Sequence, residues 1–376
     1  MSWPYSSSIP HIEGSPKELE LFSLPPVQSA VMKTQYIDYR PVSNISQNAP
    51  IEFHIPGQSP EYTDLRHSRL YIKAKIVKGD GTSTLVTTEV APINFLHSTL
   101  FEQIDIRVNG VLVSSADGNY AYKTYIQTLL SATKDKVESQ LQNALFYTET
   151  NVFDTDPVGG SNPGYATRFT RTKGSKSFEM CYYLLQDFLQ CEKYLLNGLT
   201  KPDFHIVIED ILFQALRINL NPAALIGIQN KLEESPALYN YTSTEIKTLN
   251  ISTGQNSVTW DQLWTQSLPK KIVVGFVNSS GFNGDWIKNP FRFENLGLRE
   301  LAIFINGISI PGRPLKLNYT NNQYATAYAN LFDAQGKWYN DSAAFDTSLT
   351  TPYTIIAYAE FEKIVQIDKT RTVSFM

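Results

Sequence analysis

The chain has only two cysteines in 376 residues, Cys181 and Cys191. They exclude a disulfide framework and lack the spacing of a metal site. Charge is scarce too: Asp, Glu, Lys and Arg make up 18% of the chain, and the formal net charge is −4. A chain this close to neutral is not built mainly to coat nucleic acid. No apolar run approaches the roughly 20 residues that span a bilayer, so no membrane span is expected. The first residues show no basic segment followed by an apolar one, so no signal peptide is expected. Synthesis inside the cell, without secretion by a signal peptide, is therefore expected. The sequons at Asn44, Asn240, Asn250, Asn278, Asn318 and Asn340 then read as accidents of an Asn/Ser/Thr-rich chain.

Catalytic chemistry is missing as well. The five histidines (His11, His54, His67, His97, His205) are far apart in sequence. His54 and His205 sit in strand-like patterns, where a lone histidine is a structural residue. There is no Gly-x-Ser-x-Gly elbow, no HExxH and no phosphate-binding glycine pattern. Glu360 and Glu362 share one face of a strand pattern and would imitate a glycosidase pair. A solvated strand face explains them better, because nothing else converges there. The expectation is a protein that is not an enzyme, with no catalytic, cofactor-binding or metal-binding residues and no cofactor.

Aromatic residues, by contrast, are abundant: 21 Tyr and 20 Phe. Both favour strands, and Tyr is enriched at buried interfaces. Low charge with many aromatics fits a chain that hides surface against partners. A large β-sandwich with a Tyr-rich core fits equally well.

The clearest local signal is Asn306-Gly307, set within the stretch Leu298-Gly-Leu-Arg-Glu-Leu-Ala-Ile-Phe-Ile-Asn-Gly-Ile-Ser-Ile310. Asn-Gly marks a two-residue hairpin, because a type I′ turn needs φ > 0 at both central positions. That turn pairs Ile305 with Ile308 and Ile303 with Ile310. Asn109-Gly110 repeats the device, pairing Val108 with Val111 and Ile106 with Val113. The flanks match. Leu70–Val77 and Lys271–Val277 are apolar strands upstream. Pro92-Ile-Asn-Phe95 and Pro290-Phe-Arg-Phe293 follow them. Tyr122–Leu130 and Tyr324–Phe332 have helical spacing downstream. Phe204–Phe213 and Tyr353–Val365 close each half as β-rich runs. An all-β chain can reuse hairpins, but five features in one order favour duplication.

Two domains are natural at this length, and either half has enough chain for its own core. Residues 1–32 read as an extended arm, rich in Pro and Ser, with one apolar patch at Leu19-Glu-Leu-Phe22. The first unit is placed at 33–221. A helical linker follows at 222–236, with Asn221 as N-cap and Pro222 at the first helical position. The second unit is placed at 237–376. Tyr122–Phe146 reads as a helix, with Tyr122, Tyr125, Ile126, Leu129 and Leu130 on one stripe, continued by Val137, Leu141, Ala144 and Leu145. Residues 150–177 read as a long polar loop. In its last part Arg168, Arg171, Lys173 and Lys176 form a basic patch. One reading is a contact with nucleic acid. The other, favoured because such charge density is ordinary, is a solvated loop or a charge-protected strand edge.

Several stretches, taken in order, resemble the double jelly-roll major capsid proteins of Polinton (Maverick) elements and adintoviruses, a family that includes uncharacterised proteins of animal genomes. They are Glu20–Ser29, Ala49–Phe53, Leu70–Ile76, Lys193–Gly198, Leu268–Gly275, Phe282–Gly284 with Lys288–Phe291, and Tyr358–Phe361 with Ile367, Asp368 and Arg371. The resemblance implies an all-β fold of two consecutive jelly-roll β-sandwiches with a few short helices. It implies a homotrimeric, pseudo-hexagonal capsomer and an icosahedral capsid around double-stranded DNA, located in the virion. The implied partners are further copies of the chain, penton and minor capsid proteins, and packaged DNA held weakly and non-specifically. Two departures stand out. Only Leu199–Asp203 separates the Leu-Leu-Asn-Gly segment from the strand at Phe204, and the segment before Tyr353 is short. These motivate a second reading: a domesticated, virus-derived β-sandwich that binds a ligand such as a glycan without forming shells.

Overall fold

The computed structural model describes residues 30–42, 45, 50–57, 61–84, 86–87, 90–114, 118–149, 162–190, 206–261, 263–264, 267–283, 288–305, 307–335 and 353–375. Residues 1–29 of the expected arm, Asn306, and the segments 191–205 and 336–352, which hold both departures from the resemblance, lie outside the described residues.

The first half contributes β1 (Val31–Tyr39), β2 (Glu61–Ile76), α1 (Leu96–Thr99), β3 (Arg107–Val108), β4 (Val111–Leu112), α2 (Tyr120–Ser131) and α3 (Lys134–Glu138). A tight helical turn (Gln140–Ala144), α4 (Pro163–Thr172), β5 (Phe178–Tyr183), another turn (Asp187–Gln190) and β6 (Ile206–Leu220) complete it. After α5 (Pro222–Glu234) come β7 (Ala237–Ile251), β8 (Lys271–Asn278), α6 (Ser279–Phe282), β9 (Glu300–Ile305), β10 (Ile308–Lys316), α7 (Ala325–Gln335), β11 (Tyr353–Ile367) and β12 (Val373–Phe375).

The first sheet has the order β1-β6-β2-β5, antiparallel throughout. In the second, β7 pairs with β11 along its whole length. That fills one edge of β11, so β8 (opposite Tyr353–Glu360) and β12 (opposite Val365–Ile367) share the other. The same plan recurs. The last long strand of each half, β6 or β11, lies between the first strand of that half and the strand that precedes the hairpin.

Alternation explains what each strand buries. Ile211, Phe213 and Ala215 of β6 and Leu70, Ile72 and Ala74 of β2 face inward at period two. Residues Tyr353–Ala359 of β11 are buried on both faces, which suits their near-continuous apolar sequence. β2 carries a bulge between Asp64 and Arg69. There the Ser68 hydroxyl donates to the Asp64 carbonyl (2.5 Å) and accepts from Leu216 N (3.2 Å). It thus replaces ladder bonds that the bulge removes.

Two helical expectations change. Tyr122–Phe146 is not one helix: Ala132 turns extended after α2, and Leu145 takes a left-handed φ of 57°. The break brings Leu141, Ala144 and Leu145 into the core and leaves Leu129 half-exposed. Within the expected loop 150–177, Pro163–Thr172 is helical. Asn162 caps it by accepting from Tyr165 N at 3.2 Å, with Pro163 in the first turn. That is the signal that opens α5, where Asn221 accepts from Ala223 N (2.7 Å) and Ala224 N (3.3 Å).

The core does not divide at α5. One buried cluster joins Ile72, Phe101, Ile106 and Phe213 to Tyr241, Val365, Ile367 and Val373. The other joins Phe95, Tyr125, Phe146 and Tyr182 to Ile246, Val277, Phe291, Ile356 and Tyr358. The two halves therefore share apolar interior.

Candidate functional site

The two hairpins share a register. In the first, Val108 pairs with Val111, and Val113 N donates to Ile106 O at 2.9 Å. Asn109 and Gly110 have φ of 49° and 84°, the left-handed pair that a type I′ turn requires. Ile106, Val108 and Val113 are buried, and both turn residues are exposed. The Asn109 amide donates to Arg371 O (2.8 Å), tying this turn to the β11–β12 turn of the other half. In the second hairpin Ile305 pairs with Ile308 and Ile303 with Ile310, and Gly307 has φ of 82°. Its turn glycine is exposed, Ile303 is only half-buried and Phe304 is 63% exposed.

The seam between the halves is where side chains converge. Tyr125 of α2 stacks on Phe291 with ring centroids 4.2 Å apart and planes 11° from parallel. Tyr122 stacks on Phe282 (5.2 Å), meets Phe291 edge-on, and donates its hydroxyl to Pro290 O (3.2 Å). Phe188 meets Tyr241 edge-on at 5.4 Å. The Pro-aromatic flanks found in the sequence are thus seam residues. Burial pushes the phenols of Tyr122 and Tyr125 above their ordinary range.

Two buried ion pairs lie on the same seam. Lys123 Nζ is 2.8 Å from Asp187 Oδ2 and donates to Gln186 Oε1 (2.6 Å). Asp187 Oδ2 also accepts from Thr244 N (2.7 Å). Residue 244 lies on the edge strand β7, so a carboxylate of the first half occupies a ladder position of the second. In the other pair, Arg168 Nη2 is 2.5 Å from Glu149 Oε1, and Arg168 Nε donates to Pro92 O (2.9 Å). Glu149 Oε2 accepts from Asn289 Nδ2 (3.1 Å), again across the halves.

This corrects the basic patch. Arg168 is 3% exposed and paired, so it is not a nucleic-acid contact. Glu149 and the Pro92 carbonyl hold its guanidinium inside, while Arg171 and Lys176 remain exposed. The Arg171 guanidinium lies 5.7 Å from the Tyr147 ring, and Lys173 Nζ lies 5.8 Å from the Phe169 ring.

Arg217 continues the inward series of β6 and is buried. Its guanidinium donates to Tyr39 OH (2.7 Å), Thr63 Oγ1 (3.0 Å) and Pro56 O (2.6 Å). His97 is fully buried, with Nε2 2.9 Å from Leu70 O. Desolvation there holds its pKa down, at about 4. The carboxylates Glu360 and Glu362 pair with Lys271 and Lys270. Among the described residues no three metal-ligating side chains converge, and no helix is long and apolar enough to cross a membrane.

Sequence reading missed Lys123, Glu149, Asp187, Arg217 and Asn289. A lysine inside the aromatic stripe of α2 and an arginine at an inward β6 position were the available signals.

No family model matches the chain. Over 347 residues it is 23% identical to an uncharacterized protein of Caenorhabditis elegans, covering 85% of this chain and 80% of that protein. A chain of the 3.5 Å cryo-EM structure of the Sputnik virophage superposes with a TM-score of 0.54 at 11% identity. The match covers 98% of this chain and 93% of that one. A chain of the quasi-atomic model of the PBCV-1 virus capsid also gives 0.54, at 8% identity, covering 94% and 98%. Together with the recurring sheet order, these likenesses define the fold as all-β: two consecutive jelly rolls with a few short helices.

Proposed function

We propose that the protein is a major capsid protein: the structural subunit of an icosahedral shell enclosing double-stranded DNA, of the Polinton (Maverick) and adintovirus kind. In this reading its work is structural, not catalytic. Residues 33–221 and 237–376 form the two rolls and 222–236 joins them. Three copies make a pseudo-hexagonal capsomer, which meets further capsomers and penton and minor capsid proteins in the virion. The observation that carries the reading is the full-length fold likeness to chains of the Sputnik virophage and of the PBCV-1 capsid. The shared core supports it, since a subunit that tiles a shell must hold its two halves in a fixed relation. A net charge of −4 fits a wall that touches DNA weakly and non-specifically, with Arg171, Lys173 and Lys176 among the cations that would do so.

Size-exclusion chromatography with light scattering is expected to give a trimer of about 127 kDa, three times 42.4 kDa, with shells visible by negative-stain electron microscopy. A clean monomer at micromolar concentration overturns the proposal. The second reading, a virus-derived protein that binds a ligand such as a glycan without forming shells, rests on the two shortened segments, Leu199–Asp203 and the one before Tyr353. Clear glycan-array hits from a particle-free preparation would favour it.

A further inference from the structure

The helices that follow the two hairpins are matched in sequence but not in burial. Setting Tyr122 against Tyr324 aligns α2 with α7 position by position. Lys123, Thr124 and Thr128 of α2 are buried. Their counterparts Ala325, Thr326 and Asn330 are exposed, and none of the described α7 side chains, Ala325–Leu331, is buried. The seam explains the difference. The rings of α2 stack on Phe282 and Phe291, and its cluster reaches Ile246 of β7, so the second half covers it. No described residue buries α7 in this way. Yet Asn321–Phe332 holds no charged residue, although a helix face left in water ordinarily carries charge. Tyrosine without charge suits a buried interface, and Tyr324 is already stacked on Tyr319, with ring centroids 5.3 Å apart.

The first strands of the two halves show the same mismatch. β1 and β7 each pair with the last long strand of their half, and each is an edge of its sheet. β7 buries Tyr241, Ser243, Thr244 and Ile246, and Asp187 of the other half takes its Thr244 N. β1 buries none of its nine residues, and Met32 and Tyr36 are 69% and 44% exposed. Tyr36 is nonetheless fixed. Its hydroxyl donates to His67 O (3.2 Å), and the Arg69 guanidinium lies 4.1 Å from its ring centroid. Seating it against a partner therefore costs little side-chain entropy.

Each half thus offers one helix and one edge strand. Within the chain α2 and β7 are covered, while their counterparts α7 and β1 are not. We propose that the α7 face of one copy covers β1 of the next copy, as the first half meets β7 within a chain. The inference rests on the capsid reading, whose trimer it completes. A head-to-tail contact closes into a ring or runs on as a filament. Three copies put six halves in a ring, each meeting the next by the same kind of contact.

The test is light scattering after size exclusion on the full chain, on Thr326→Glu and on Met32→Glu. Both positions face solvent in the single chain. The native chain is expected as a trimer, and each variant as a monomer of about 42 kDa. Mixed one to one, the variants retain one intact α7 and one intact β1 between them. They are expected to form a dimer of about 85 kDa, twice 42.4 kDa, and nothing larger. A native trimer that survives either substitution overturns this inference and leaves the capsid reading standing, and so do variants that stay monomeric when mixed. A monomeric native chain overturns both and would assign the two surfaces to the chain's own residues 1–29 or 336–352. A second measurement leaves the contact undisturbed. Thr326→Cys with Met32→Cys, in a chain carrying Cys181→Ser and Cys191→Ser, is treated with a short bismaleimide. Dimer and trimer bands are expected on denaturing gels, and a monomer band alone refutes the proposal.

Discussion

Acid should weaken this fold through His97. The imidazole is fully buried, and its Nε2–H donates to Leu70 O. Nδ1 has no hydrogen-bond partner, so a second proton would enter an apolar site. The Tyr182 ring lies edge-on to it at 6.1 Å. Its folded pKa is about 4 against an ordinary 6.5. The unfolded chain therefore binds this proton first, and its contribution to stability is complete above pH 6.5 and lost as pH falls toward 4. At about 1.36 kcal/mol per unit, the full loss is about 3 kcal/mol, of which about 1.4 kcal/mol is gone by pH 5.5. Urea melts at pH 7.5, 5.5 and 4.5 for the native chain and His97→Gln isolate the effect, because carboxylates titrate alike in both. The native chain should lose about 2–3 kcal/mol more than the variant between pH 7.5 and 4.5. Equal losses would refute the reasoning.

Asp187→Ala strands the buried Lys123 ammonium and unpairs Thr244 N, and should cost about 3–5 kcal/mol in denaturant melts. The double change Lys123→Met with Asp187→Leu should recover much of that loss. Tyr125→Ala and Phe291→Ala should each cost about 3–5 kcal/mol, with a coupling of about 0.5–1.5 kcal/mol in a double-mutant cycle. Both variants should keep one unfolding transition by circular dichroism and by tryptophan fluorescence. Gly275→Ala would place a Cβ 2.7 Å from the Phe293 ring and should cost about 1–3 kcal/mol in a thermal melt. Little change there would mean that the ring over β8 is free to move.

What could be read in advance was local. Asn109-Gly110 specifies its turn because few other residue pairs accept two positive φ values in succession. Asn221-Pro222 specifies the start of α5 because the amide side chain satisfies the first free N–H groups. Asn162-Pro163 carries the same instruction, and the glycine-rich, polar residues around it obscured α4. Arg168 was misplaced for that reason. In a loop it belongs with Arg171 and Lys173, but in the fold Glu149 and the Pro92 carbonyl take its guanidinium inside. The seam was not legible, since Glu149 meets Asn289 and Asp187 meets Thr244 only after the whole chain has folded. Nor does turn chemistry dictate burial: Ile106 of the first hairpin is buried, while Ile303 at the matching position of the second is half-buried.

The carboxylate of Asp187 on the edge of β7 also orders events in time. Synthesis runs from the N-terminus at about 5–20 residues per second. The first half is therefore made about 4–14 s before Phe291, 70 residues after Asn221. Until Thr244 and Phe291, 23 and 70 residues past Asn221, have been made and folded, Asp187, Tyr122 and Tyr125 have no second-half surface of their own chain to meet. A crowded polysome offers them the finished second half of a neighbouring chain, which presents the same Thr244 N–H and the same Phe291 ring. The seam that unites the halves is thus also the place where two nascent chains can exchange them, and slower translation past Asn221 lengthens the exposure.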